Sequence, residues 1–101
     1  MPRRTCKVDA NQEEIVKMLR SLGADVIPTH QVGQYIPGFP DLLIGYRGFC
    51  ILLEVKDGKA KLTADEKAFH QKHHKFPIFT VRTQAQAWEV LLEYVRGKSV
   101  L

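Results

Sequence analysis

The chain predicts an α/β domain with a mixed four-stranded sheet flanked by helices, in the order αβββαβα. Three observations predict it. Apolar residues recur at helical spacing near both ends of the 101 residues. Short aliphatic runs between them are bounded by glycine, proline and aspartate. A capped helical stretch separates the third of these runs from the fourth, so the last strand must return across a helix, which mixes the sheet.

The first helix is expected over 9–22. Asp9 caps it, Gln12 completes a capping-box pattern, and Ile15, Val16, Leu19 and Leu22 form its apolar stripe. Gly23 stops it. Residues 25–30 read as a short strand around Val26 and Ile27, with His30 at its end. Residues 31–40 hold two glycines and two prolines and read as a loop without regular structure. It is long for such a domain, and loops of this length often carry function.

Residues 41–46 and 49–56 form a hairpin around the tight turn Arg47-Gly48. The second arm is apolar on both faces for five residues, which places it centrally in the sheet and makes Cys50 a buried thiol. Residues 57–61 are a charged turn. Thr63 opens a second helix that runs to about His74, with Thr63-Ala64-Asp65-Glu66 as a capping box. Residues 77–81 are the fourth strand. Thr83 caps a last helix over 84–96, whose apolar face is Ala87, Trp88, Leu91, Leu92 and Val95, and Gly97 ends it.

This length makes a single domain over 1–101, with one core and no room for a second. No run reaches membrane-spanning length, and residues 1–7 carry no apolar leader, so a cytoplasmic protein with no membrane partner is expected. Cys6 and Cys50 fit no zinc spacing, and a disulfide is not expected in a reducing compartment. The net charge of +4 favours a polyanionic partner. The basic residues fall in groups: Arg3, Arg4 and Lys7; Lys56, Lys59 and Lys61; Lys67, Lys72 and Lys75. For any one of these lysines, the plainer reading is a solvated face.

The chemistry concentrates at Pro40-Asp41 and Glu54-Val55-Lys56. Strand side chains alternate, so Glu54 and Lys56 project from one face beyond Cys50 and Leu52. Desolvated charges there require a partner or a metal. Asp41 and Glu54 offer carboxylates from adjacent strands, and Mg2+ prefers such hard oxygen ligands. Phosphodiester hydrolysis needs an in-line water and stabilisation of charge on the phosphate, which this set can supply. Taken singly, Asp41 is a turn residue and Glu54 with Lys56 a strand-end ion pair. Gln12 shares the face of Ile15, Val16 and Leu19 and points at the sheet; its plainer role is in the helix cap. His70, His73 and His74 share a helix turn, but no cysteine or carboxylate obviously joins them, and they read as helix-end residues. Neither a Ser/His/Asp nor a Cys/His nucleophile is visible, and no glycine-rich phosphate loop is present.

These residues resemble the PD-(D/E)XK nuclease superfamily. The stretches Asp9-Ala10-Asn11-Gln12, Gly38-Phe39-Pro40-Asp41 with Leu42 to Gly48, Leu53-Glu54-Val55-Lys56 and Leu62-Thr63-Ala64-Asp65 are similar to the small phage and bacterial VRR-NUC-type nucleases and, more distantly, to Holliday-junction resolvases. The resemblance implies a restriction-endonuclease-like core and a Mg2+-dependent endodeoxyribonuclease, with Mn2+ able to substitute. It implies that the Val55 carbonyl joins Asp41 and Glu54 as a metal ligand. Lys56 then orients or deprotonates the metal-bound water, or clamps phosphate. Many relatives carry a further carboxylate where Gln12 stands, and a neutral amide there suits a water or a phosphate oxygen better than a second metal. Branched DNA, a Holliday junction or a flap, is the implied substrate. From the charge distribution, Lys59 and Lys61 are expected phosphate contacts, and His30 at the site edge is a further one, although its plainer reading is a loop histidine. A homodimer suits paired incisions. The alternative is a non-catalytic DNA-binding or assembly module that retains the fold. A small metal-binding protein built on the histidine helix is a third reading.

Overall fold

A computed structural model describes residues 10–99. The helix α1 (Gln12–Ser21) is followed by strand β1 (Asp25–Pro28), a short 3-10 helix (His30–Gln34), and strands β2 (Leu42–Tyr46) and β3 (Phe49–Val55). Then come α2 (Ala64–Lys72), β4 (Ile78–Val81) and α3 (Gln84–Ser99). The four strands make one sheet in the order β1-β2-β3-β4. The first three pair antiparallel, and β4 pairs parallel to β3, so the sheet is mixed.

The hairpin between β2 and β3 turns at Arg47 and Gly48, both with positive φ, which gives the twist that a two-residue connection requires. As expected for a strand apolar on both faces, β3 is interior. Alternation then divides its side chains. Ile51, Leu53 and Val55 join Leu42 and Ile44 of β2, Ile15, Val16 and Leu19 of α1, and Ala87, Leu91 and Val95 of α3 in one core. Trp88 packs edge-on against Tyr46, and Tyr94 against Phe49 and Phe79, so the large rings of α3 are engaged within the fold. The opposite face of β3 carries Cys50, Leu52 and Glu54; α2, whose one buried residue is Phe69, covers Leu52 and Glu54 and leaves Cys50 exposed.

Several expectations need correction. The first helix begins at Gln12, with Asn11 at its N-cap and no side-chain cap bond; Asp9 lies outside the described residues, as do Arg3, Arg4, Cys6 and Lys7. His30 does not end β1 but opens the five-residue 3-10 helix, which fits between the proline-bounded segments. Cys50 is exposed rather than buried, because it lies near the hairpin end of β3, where α2 gives no cover. Gly97 does not end α3, which continues to Ser99; one glycine costs a helix only about 1 kcal/mol. The Thr63–Glu66 capping box is formed in both directions. The hydroxyl of Thr83 accepts the Gln86 N–H. Among the described residues, no helix is long and apolar enough to cross a membrane.

Candidate active site

The segment ahead of β2 is fixed by backbone bonds. Pro40 is fully buried, and its carbonyl accepts the Thr29 hydroxyl at 2.7 Å. The Asp41 carbonyl accepts the Thr29 N–H at 2.8 Å, and the Asp41 N–H donates to the Leu53 carbonyl at 3.0 Å. Asp41 then extends the ladder with its side chain: Oδ2 accepts the Val55 N–H at 2.8 Å. Leu42 is opposite Leu53 in the register, so one step further along Asp41 is opposite Glu54. Closely opposed residues of an antiparallel pair share a face, and here that face is the one under α2.

Glu54 is 1% exposed. Burial first, then the Asp41 carboxylate, then Glu66, push its pKa from 4.5 up to about 10. Burial and the neighbouring carboxylate keep Glu54 protonated at neutral pH. Glu54 Oε1 is buried and makes no hydrogen bond.

Lys56 continues the same face and is also buried. Its Nζ sits 2.7 Å from Glu66 Oε1. Glu66 opens α2, and the same oxygen accepts the Thr63 N–H at 2.8 Å. Burial raises the Glu66 pKa, but the Lys56 ammonium and the Thr63 N–H outweigh it, and the net shift is downward. Glu66 is therefore an ionised partner for Lys56. One turn on, His70 Nε2 lies 3.8 Å from Glu54 Oε1. Burial holds the His70 pKa below its usual value, against the opposing pull of Glu66.

Sequence reasoning missed Glu66 and His70 as site residues. The capping box was legible, but it accounted for Glu66 completely and gave no sign of its second partner. Asn11 was missed too: its side-chain amide donates to the Lys56 carbonyl at 3.1 Å and the Arg82 carbonyl at 2.7 Å, tying the start of α1 to the ends of β3 and β4. Gln12, the next residue, is buried in the first turn of α1. Lys59 and Lys61 are exposed on the loop after β3, which the Arg82 guanidinium pins through the carbonyls of Gly58 and Ala60 at 2.9 and 2.7 Å. His30 lies at the far end of the β1–β2 connection and is half-buried.

The structure thus brings Asp41, Glu54 and Lys56 together, with Glu66 and His70 over them. It does not gather the histidines. His73 stacks on Phe69 at 4.3 Å, and His74 is exposed. Beside the charged cluster an apolar groove of roughly 260 Å³ runs between sheet and α2, lined by Phe39, Leu43, Cys50, Leu52, Phe69 and Phe76 among others.

Among the described residues, no three His, Cys, Asp or Glu side chains already form a group able to hold a metal ion. A closed cage is not what Mg2+ requires. It keeps several waters and binds through one or two carboxylates. The Asp41–Glu54 pair, with a buried Glu54 oxygen lacking a partner, fits such an ion. A divalent charge beside Glu54 would offset the repulsion from Asp41 that helps to keep it protonated. Comparison with protein-family models, with curated proteins and with solved structures finds no match.

Proposed function

We propose that this chain is a Mg2+-dependent endodeoxyribonuclease of the PD-(D/E)XK type, built on a restriction-endonuclease-like core. The observation that carries the reading is the Asp41–Glu54 pair: a carboxyl group at the entry to β2 beside one on β3, with Glu54 buried and one of its oxygens unpartnered. A purely structural acid pair at this place would be costly without return in stability. Bound Mg2+, or Mn2+ in its place, supplies charge neutralisation at the phosphate and a water of lowered pKa.

The chain's own groups divide the remaining work. Asp41 and Glu54 hold the cation, and the Val55 N–H fixes the Asp41 carboxylate while the Val55 carbonyl is a further ligand. Lys56 orients the attacking water or neutralises the phosphate, and Glu66 aims its ammonium. Gln12 holds a water or a phosphate oxygen from the first turn of α1. Lys59, Lys61 and His30 contact the DNA backbone to either side, so binding weakens steeply with salt. The substrate on this reading is branched DNA, a Holliday junction or flap, cut by a homodimer in the cytoplasm of a bacterium or a phage-infected cell.

The test is cleavage of linear, flap and four-way-junction DNA with Mg2+ or Mn2+, beside Glu54→Ala and Lys56→Ala. Loss of at least about a hundredfold in rate for both variants, with DNA binding retained, is expected. Unchanged cutting by both variants removes the assignment. A second reading, a non-catalytic DNA-binding or assembly module, draws on the 2.7 Å Lys56–Glu66 ion pair, which satisfies both charges without a substrate. A wild type that binds DNA and cuts none of these substrates favours that module.

A further inference from the structure

Glu66 and His70 are one turn apart on the face of α2 that covers the acid pair. Glu66 is accounted for by Lys56 and Thr63. His70 is not. Its Nε2 is buried without a hydrogen bond, and the Glu54 Oε1 that faces it is buried without one too. They stand 3.8 Å apart. That is too long for an N–H···O bond, and an unmet buried polar atom on each side of such a gap is a place for a bridging third body.

The gap suits an ion. Donors bound to one small divalent cation lie about 2.1 Å from it, so two of them are about 3.0 Å apart at a right angle and about 4.2 Å apart when opposite. The observed separation falls between these limits. A bridging cation at this point would also adjoin the Asp41 carboxylate, which lies against Glu54.

We propose that His70 supplies a nitrogen ligand to the cation held on Glu54, so that the site prefers a transition ion such as Co2+ or Mn2+ over Mg2+. The inference deepens the nuclease reading and rests on it. Imidazole nitrogen suits transition ions, whereas Mg2+ takes oxygen and water. Three donors are not preassembled among the described residues. His70, Glu54 and Asp41 would hold the ion, with water in the remaining positions.

The test uses Co2+ alone and Mg2+ alone on the full chain, by calorimetric titration, with the visible absorption of Co2+ as a second readout. Wild type, His70→Ala, His70→Gln and Glu54→Gln are compared after circular dichroism has shown each to be folded. Wild type should bind Co2+ more tightly than Mg2+. Both His70 variants should weaken Co2+ by at least the roughly tenfold that loss of an outer-shell partner alone costs. They should leave Mg2+ within about twofold and change the Co2+ spectrum. Glu54→Gln should abolish binding of both ions. Unchanged Co2+ affinity and spectrum in the His70 variants, with binding still lost in Glu54→Gln, overturns the role of His70 and leaves the site reading intact. Absence of ion binding by wild type, or Co2+ binding indifferent to Glu54→Gln, overturns both.

Discussion

Strand β3 shows two different environments on its two sides. Toward α1 and α3 it presents Ile51, Leu53 and Val55, each no more than 1% exposed. On the side of α2 it presents an exposed Cys50, then Leu52, Glu54 and Lys56 under a nine-residue helix that buries only Phe69. The first side is closed by close-packed hydrocarbon from two helices. The second keeps a protonated acid, an ion pair, two unmet polar atoms and an open groove. The same seven residues thus divide stability and chemistry by the parity of their positions. The well-packed side supports the unfavourable desolvation on the other.

The comparison breaks most directly at Leu53, which is fully buried between β2 and the two helices. Leu53→Ala should cost about 2–5 kcal/mol in chemical denaturation, because the close-packed side has little room to collapse. A much smaller loss would mean that this side is not where the stability resides.

A second, pH-dependent effect belongs to the other side. Unfolded, Glu54 ionises near 4.5; folded, its pKa is about 10. Below the lower value both states are protonated and the buried acid carries no ionisation penalty. Between the two values only the unfolded state releases the proton, so stability falls as the pH rises. Glu54→Gln keeps the shape and removes the titration. Its melting temperature should therefore fall less than that of wild type between about pH 5 and about pH 9. Parallel curves for the two proteins would show that Glu54 is not desolvated as described.

The smallest effect is expected at Cys50, on the same side of β3 but beyond the reach of α2. Cys50→Ser should change stability by no more than about 0.5 kcal/mol. A loss comparable to that of Leu53→Ala would erase the contrast between the two faces.

Much of this was legible beforehand, for reasons that can be stated residue by residue. The doubly apolar run from Cys50 to Leu53 marked an interior strand, and the Thr63–Glu66 pattern marked the start of α2, so the four-stranded mixed sheet with three helices followed. Alternation also put Glu54 and Lys56 on one face. It could not say what lies over that face. Glu66 and His70 come from a helix reached across a loop, and nothing in their spacing announces Glu54 as a neighbour. Cys50 failed for the same reason: strand parity gives a side, while burial depends on how far the covering helix extends. The 3-10 turn was missed because its five residues carry no apolar period.

Gly38 sets one further condition on the cluster. It has φ of 83°, and a Cβ there would overlap the Asp65 carbonyl oxygen. The strand approach that ends in Asp41 and the first turn of the helix that carries Glu66 therefore meet main chain against main chain. No rotamer lies between them to absorb an error. The spacing of the acid pair from its cover is thus a fixed dimension of the polypeptide itself, like a shim of zero thickness, and is insulated from side-chain repacking elsewhere in the molecule.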